Sequence, residues 1–224
     1  KMGATVKSSN VIGVKTDVGE LGDIRALADQ TFSHFGAAHV VFNNAGVAVF
    51  GPIQEMTHAD WEWVIKVDLW GVIHGVETFL PRMIEQNQGG HIVNTASIAS
   101  FIPGGGPYGV SKFGVIHISE ALSLDLKKLG SNISTSVLCP GWVNTGIGEA
   151  ERNRPAELKS EVNPDGAGLD IQKLLAGSKT PQALATHVYE AIENNHKLIL
   201  KTDYDQLILS FHHSKEKLLH PKND

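Results

Sequence analysis

Tyr108 and Lys112 are the two residues whose types and spacing point most directly to chemistry in this sequence. Residues four apart on a helix lie on one face, one turn from each other. An ammonium group beside a phenol favours the phenolate and lowers a pKa that starts near 10. A phenol tuned in this way can exchange a proton with an alcohol or a carbonyl group, which is general acid–base chemistry.

Ser97 could donate a hydrogen bond to the same substrate oxygen, because it follows the apolar end of a predicted strand. Each signal is weak when taken alone. A Tyr-x-x-x-Lys pair is more often a surface pair, and a serine after a strand is usually the first residue of a loop. A strand, a serine, a Gly/Pro-rich loop and then Tyr-x-x-x-Lys on a helix, in this order, is a much rarer combination. It predicts a site in which Ser97, Tyr108 and Lys112 meet.

The elements that must position these residues alternate between strands and helices. Strands are predicted at 11–15, 40–42, 91–95, 133–138 and 198–200. Helices are predicted at 20–35, 57–84 and 108–129, from 180 onwards, and after the last strand at 203–224 with a charged tail. This alternation is typical of βαβ units and predicts an α/β fold with a doubly wound parallel sheet in a single domain, residues 1–224.

Parallel sheets of this kind bind ligands beyond the carboxyl ends of their strands. Three unusual clusters directly follow predicted strands: Asn43–Gly46, Ser97 and Pro140–Thr145. We therefore expect these clusters to converge on one site. The polar segment 146–178 is expected to form a variable substrate loop.

The bulk properties of the chain exclude several classes of function. A net charge of −5 over 224 residues gives no basic footprint for nucleic acid. No apolar run approaches a membrane span and no signal peptide is visible, so we expect a cytoplasmic protein that does not bind membranes. The single cysteine, Cys139, is expected to be a buried, inert thiol. The eleven histidines lack metal-ligand spacing, which indicates scattered surface histidines and no metal site.

From about Val11 to Leu200 the chain resembles the classical short-chain dehydrogenase/reductase family. The matching motifs occur in the family's order: Asp17-Val18, Asn43-Asn44-Ala45-Gly46, Ser97, Tyr108-x-x-x-Lys112 and Pro140-Gly141-Trp142-Val143-Asn144-Thr145. The resemblance implies a Rossmann-type fold. It also implies an oxidoreductase that moves a hydride between NAD or NADP and a small-molecule alcohol or ketone.

The resemblance also implies a role for each matching residue. Tyr108 would be the general acid/base, Lys112 would lower its pKa and bind the cofactor ribose, and Ser97 would orient the substrate oxygen. The cofactor-binding set would comprise Asp17 at the adenine with Val18 beside it, Asn43, Asn44, Ala45 and Gly46 along the adenosine side, Tyr108, Lys112, Pro140 and Gly141, and Val143 and Thr145 at the carboxamide. Long apolar helices pair subunits in this family, which implies a homodimer or homotetramer.

The largest departure from the family is the absence of its glycine-rich turn ahead of Asp17. The glycines of that turn let backbone amides approach the cofactor pyrophosphate. We therefore expect the sequence to be N-terminally incomplete, lacking a strand, the glycine-rich turn, a helix and a second strand. The alternative is a non-catalytic binding or scaffold subunit that has lost its cofactor site.

Two further departures concern the catalytic set, which we take as Ser97, Tyr108, Lys112 and Asp68. The family usually has Asn at the position of Asp68, where it holds a water in the relay to the lysine. An aspartate there should strengthen the lysine charge and weaken its help to a Tyr108 phenolate, so we expect altered activity. Ser97 and Tyr108 are 11 residues apart, which is shorter than is common in the family. The flexible loop 103–107 should still let the two hydroxyls converge.

Overall fold

The strands of the described chain form one parallel sheet. The computed structural model describes residues 10–102, 104–159 and 175–201, and of residues 200 and 201 it describes only the backbone. Within these ranges the strands are β1 (Val40–Asn43), β2 (Gly90–Thr95), β3 (Ile133–Pro140) and β4 (Leu198–Lys201), and they are adjacent in sequence order. Asn43 lies opposite Asn94, and Thr95 lies opposite Leu138. The carboxyl ends of β1, β2 and β3 therefore meet at one edge of the sheet, as the sequence predicts.

The described helices connect and flank these strands. They are α1 (Leu21–Phe35), α2 (His58–Ile65), α3 (Gly71–Gln86), α4 (Gly106–Lys128) and α5 (Pro181–Glu193). A π-helical turn, Lys66–Trp70, joins α2 to α3, so residues 58–86 form one continuous helical run. The predicted helix at 57–84 is therefore confirmed, with a local widening of the helix that the sequence does not predict.

The helix ends follow from their capping residues. Thr57 begins α2 with a capping box, in which its side chain accepts from the Asp60 N–H and its own N–H is bound by Asp60. Thr180 caps α5 with Pro181 in the first turn. Gly36 and Gly130 follow α1 and α4 with φ of 79° and 62°, a conformation that glycine adopts without strain. The predicted boundaries of these helices hold to within two residues.

Two apolar layers pack on opposite faces of the sheet. Side chains alternate between the faces along a strand, so Ile92 points to one layer and Val93 to the other. The first layer includes Ile24, Ala28, Phe79, Met83, Leu122 and Leu126, from α1, α3 and α4. The second includes Val188 and Ala191 of α5. Helices on both faces confirm the doubly wound α/β fold.

The predicted strand at 11–15 is wrong. These residues form no described strand, and their side chains alternate between exposed and half-buried. A strand needs a neighbour to satisfy its backbone groups, and within the described ranges none lies beside this segment. One side of β1 is likewise unpaired there, and the side chains of Val40 and Phe42 are about half exposed.

Some sequence-based expectations fall outside the described ranges or need correction. The helix and tail predicted at 203–224, and residues 160–174 of the substrate loop, lie outside the described residues. Surface placement of the histidines is wrong for two of them: His74 and His91 are buried, the first bonded to the Val18 carbonyl and the second to the Ser136 hydroxyl. Within the part of the chain that the structure describes, no helix combines the length and apolarity that crossing a bilayer requires.

Candidate active site

Ser97, Tyr108 and Lys112 line one cavity of about 1260 Å³ at the carboxyl ends of the strands. Ser97 lies just beyond β2, and the other two lie in the first two turns of α4. All three side chains are buried, with less than a tenth of their surface exposed. The structure thus brings together the three side chains for which the sequence predicts acid–base chemistry.

Three consecutive glycines explain how Ser97 and Tyr108 converge despite their short spacing. Gly104, Gly105 and Gly106 have φ of 116°, 74° and 47°, values that L-residues with a side chain rarely adopt. The loop closes so tightly that a Cβ on Gly109 would lie 2.8 Å from the Gly104 carbonyl oxygen. The expected convergence is found, since Ser97 and Tyr108 line the same cavity and the Ser97 side chain acts to lower the pKa of Tyr108.

The backbone around Ser97 fixes the direction of its hydroxyl group. Its Oγ accepts from the Ala99 N–H at 3.2 Å, which caps the short 3₁₀ turn Ile98–Ser100. A hydroxyl has one proton to donate. With the Ala99 N–H on its acceptor side, Ser97 keeps that proton for the oxygen of Tyr108 or of a bound ligand.

Asp68, which does not itself line the cavity, forms an ion pair with Lys112. The Lys112 Nζ lies 3.1 Å from Asp68 Oδ2 and 3.0 Å from the Thr95 carbonyl oxygen. Asp68 is fully buried, and its Oδ1 accepts from the Val47 N–H at 2.8 Å. Asp68 is carried on the π-helical turn, so this turn brings the carboxylate to the lysine.

The pKa of Tyr108 is the net result of opposing effects. Burial raises the pKa of the phenol, the Lys112 ammonium lowers it, and the Asp68 carboxylate raises it again. The pKa lies above its ordinary value, so the lowering expected from Lys112 alone is outweighed by burial. Asp68 weakens the effect of Lys112 in the direction that the sequence predicts.

The pKa of Lys112 is raised even though the side chain is buried. Burial, the largest single effect, would lower the pKa of this ammonium group, but Asp68 and Tyr108 together outweigh burial and raise the pKa. Lys112 therefore stays positively charged inside the protein. This charge opposes the rise that burial causes in the pKa of Tyr108.

Most of the cofactor-binding residues expected from the sequence lie on the same cavity. The lining residues include Asn44, Ala45, Gly46, Pro140, Gly141, Val143 and Thr145. Asn43 instead braces the sheet, because its side-chain amide donates to Asn94 Oδ1 at 2.8 Å across β1 and β2. The Asn94 amide in turn donates to Ser119 on α4 at 3.0 Å.

Asp17 and Val18 do not reach this cavity. Val18 lines a second cavity of about 380 Å³ beside β1, together with Asn43, Asn44 and Ala45. Asp17 lines neither cavity; it is exposed, and its carboxylate accepts from the Gly19 N–H at 2.9 Å. Asn44 and Ala45 line both cavities, so they mark where the two spaces adjoin.

Comparison with known proteins identifies the family of the chain. The family model described as short chain dehydrogenase matches residues 1–156, more than half of the sequence. The chain belongs to the short chain dehydrogenase family. Among solved structures, it resembles a short chain dehydrogenase/reductase from Burkholderia phymatum in complex with NAD, with a TM-score of 0.86 and 38% identity. That similarity covers 96% of this chain and 79% of the other.

Two relatives illustrate the range of proteins that this short chain dehydrogenase resembles. It is 32% identical over 212 residues to the CLA biosynthesis dehydrogenase/reductase of Lactiplantibacillus plantarum, covering 90% of this chain. It is 34% identical over 188 residues to the C alpha-dehydrogenase of Sphingobium sp. strain SYK-6, covering 82% of this chain. The matches span 74% and 61% of the lengths of these relatives.

The sequence does not reveal one buried charge cluster of this short chain dehydrogenase. Arg154, in the segment predicted to be a polar substrate loop, is buried and pairs with the buried Asp60 at 2.7 Å. Nothing in a Glu-Arg-Asn-Arg-Pro run indicates a partner 94 residues away. In the described part of the chain no group of three or more His, Cys, Asp or Glu side chains could hold a metal ion.

Proposed function

We propose that this short chain dehydrogenase moves a hydride between NAD or NADP and an alcohol/ketone pair, with Tyr108 as the general acid/base. The observation that carries the proposal is that Ser97, Tyr108 and Lys112 are buried side by side on one large cavity. A phenol, a hydroxyl and a permanent ammonium in a space of low dielectric suit proton exchange with a bound oxygen.

In the oxidising direction, the Tyr108 phenolate removes the hydroxyl proton of the substrate as the hydride leaves the adjoining carbon. Ser97 donates a hydrogen bond to the substrate oxygen and holds it near the phenol. The positive charge of Lys112 stabilises the phenolate form of Tyr108. In the reducing direction the same phenol gives its proton to the carbonyl oxygen, since the two directions share one pathway.

The residues around the cavity fit a nicotinamide cofactor. Lys112 donates one of its three N–H groups to the Thr95 carbonyl and forms an ion pair with Asp68, so an N–H would be available for a ribose hydroxyl. A Cβ on Gly46 would lie 3.3 Å from both Lys112 Nζ and Asp68 Oδ2, so the glycine keeps this approach open. Asn44, Val143 and Thr145 would hold other parts of the cofactor. When bound, NAD or NADP supplies the hydride acceptor or donor.

The apolar lining of the cavity favours a bulky apolar substrate. Beyond the reacting groups its lining is dominated by apolar side chains, among them Phe50, Ile98, Trp142, Leu184 and Val188. Apolar walls with a few placed polar groups are typical of small-molecule sites. A secondary alcohol with a large apolar substituent would bury the most surface there.

Two measurements on protein produced from its complete reading frame test the proposal. Titration of the fluorescence of NADH and NADPH measures cofactor binding, and reduction of NAD or NADP with 4-phenylbutan-2-ol and propan-2-ol as probe alcohols measures turnover. Binding together with turnover supports the oxidoreductase. Failure to bind either cofactor would favour the non-catalytic subunit, and binding without turnover of any alcohol or ketone probe would reject the proposed reaction.

We also propose that α4 pairs with a second copy of the chain. Val110, Phe113 and Leu124 lie along one stripe of this helix and are exposed by 45–58%. Such a stripe of apolar side chains is a typical subunit contact. Light scattering at micromolar concentration should give the mass of a dimer or tetramer; a monomer would count against the pairing. The expected cytoplasmic location stays a prediction, which cell fractionation would test.

A further inference from the structure

We infer that Arg154 is a positioning residue that fastens the segment Gly146–Leu158, here called the wall segment, to the start of α2. By doing so it sets the position of the apolar wall beside Tyr108. The catalytic consequence of this inference rests on the proposed function; the anchoring itself does not.

The guanidinium group of Arg154 is almost completely enclosed by its partners. Its side chain is 1% exposed. Nη2 lies 2.7 Å from Asp60 Oδ1, Nη1 donates to the Leu158 carbonyl at 2.9 Å, and Nε donates to the Glu151 carboxylate at 2.9 Å. The planar group also lies 4.3 Å from the ring centroid of Trp63. The Asp60 ion pair and the Trp63 contact join the wall segment to α2, and the bonds to Glu151 and Leu158 hold the arginine within its own segment.

The partner on α2 is itself rigidly held. Asp60 is fully buried, and its Oδ2 accepts from the Thr57 N–H at 2.8 Å and from the Thr57 hydroxyl at 2.7 Å. Burial alone would raise the pKa of Asp60, but the Thr57 hydrogen bonds and Arg154 lower it on balance. The carboxylate thus stays charged and serves as a fixed point in the helix cap for the arginine.

The wall segment needs such a fixed point because its own backbone is irregular. Residues Gly146–Asn153 form 3₁₀ turns with a non-helical break at Glu149, and Ala156–Leu158 form another short turn. Bonds in 3₁₀ turns have poorer geometry than those of an α-helix. Side-chain anchoring therefore determines where this segment lies.

The same segment forms part of the site. Ala150 is buried in one apolar cluster with Trp63, Val64 and Tyr108, and Ile147 packs against that cluster. Both Ala150 and Ile147 also line the large cavity. Releasing Arg154 would therefore move the wall that contacts a bulky substrate, while leaving Lys112 and the cofactor residues in place.

Hydrogen exchange tests the anchor without reference to activity. Arg154→Met should speed exchange of the hydrogen-bonded amides of residues 154, 158 and 159 by roughly tenfold or more, with little change in the amides of α4. Arg82→Met is the matched control, because Arg82 also has a carboxylate at 2.7 Å and an aromatic ring at 4.0 Å, but on the surface. Unchanged exchange in the wall segment would overturn the inference. If Arg154→Met does not fold, Arg154→Lys keeps the charge and must still speed exchange there.

Kinetics test the consequence for substrate binding. In Arg154→Met the KM for 4-phenylbutan-2-ol should rise about tenfold, while the KM for propan-2-ol and the affinity for NADH stay within about twofold. An equal rise for both alcohols would overturn the positioning role. If the unaltered protein turns over neither alcohol, the proposed function fails, and the exchange experiment still decides whether Arg154 anchors the wall.

Discussion

Lys112 and Asp68 form an ion pair that is closed off from water: their side chains are 3% and 0% exposed, and Nζ lies 3.1 Å from Oδ2. The pair places a carboxylate charge within electrostatic reach of Tyr108, whose pKa it raises. Lys112 therefore acts on two acidic groups, the phenol of Tyr108 and the carboxyl group of Asp68. It lowers the pKa of the phenol, and it opposes the rise that burial causes in the pKa of Asp68.

Asp68→Asn should shift the pH dependence of alcohol oxidation toward lower pH. Removing the carboxylate charge lowers the pKa of Tyr108, and oxidation requires the phenolate. A shift of about one pH unit in the rising limb of kcat/KM corresponds to roughly 1.4 kcal/mol. Asp29→Asn, which breaks the exposed pair with Arg82, is the control and should leave the profile in place. An upward shift for Asp68→Asn would contradict the role given to this carboxylate.

Lys112→Met should destabilise the fold strongly, because it leaves Asp68 buried without its counter-charge. Removing one partner of a buried pair costs about 3–5 kcal/mol. Urea unfolding should show this loss, and Asp68→Asn in the same chain should recover a large part of it. Lys66→Met, which breaks an exposed pair with Glu20, should cost only about 0–1 kcal/mol. An equal loss in the free energy of unfolding for Lys112→Met and Lys66→Met would contradict the prediction that the buried pair matters more than the exposed one.

Gly46→Ala should weaken NADH binding by about tenfold, or roughly 1.4 kcal/mol. The added methyl group would lie 3.3 Å from Lys112 Nζ and would crowd the approach to the lysine. Fluorescence titration measures the change. Gly22→Ala is the control, since nothing lies within 4 Å of a Cβ at that position. Unchanged NADH affinity in Gly46→Ala would place the cofactor elsewhere.

Cys139 should resist alkylation in the native protein. The side chain is completely buried, and burial raises the pKa of its thiol to about 12. Only the thiolate reacts with iodoacetamide. At pH 8 the folded protein should remain unlabelled, whereas the protein unfolded in guanidinium chloride should take up one label. Rapid labelling of the folded protein would contradict the predicted inert thiol.

Local patterns account for what could be predicted from the sequence. Thr57, Thr180 and Gly130 mark helix ends because capping depends on residues close in sequence. The Tyr108–Lys112 spacing places both side chains on one helix face, and the order of strands puts Ser97 at the same edge of the sheet.

Properties that depend on packing could not be predicted in the same way. The pair of Arg154 with Asp60 joins residues far apart in the chain, so no local pattern reports it. The net pKa of Tyr108 depends on how deeply the phenol is buried, which the spacing to Lys112 does not reveal. Residues 11–15 have the composition of a strand, but a strand also needs a neighbour.

Turnover by Tyr108→Phe is the most direct test of the proposed chemistry. The substitution removes only the phenolic oxygen, so kcat for oxidation of 4-phenylbutan-2-ol should fall by roughly 10³-fold while NADH affinity stays within about twofold. Such a result would place the proton exchange on Tyr108. Turnover at the rate of the unaltered protein would contradict it.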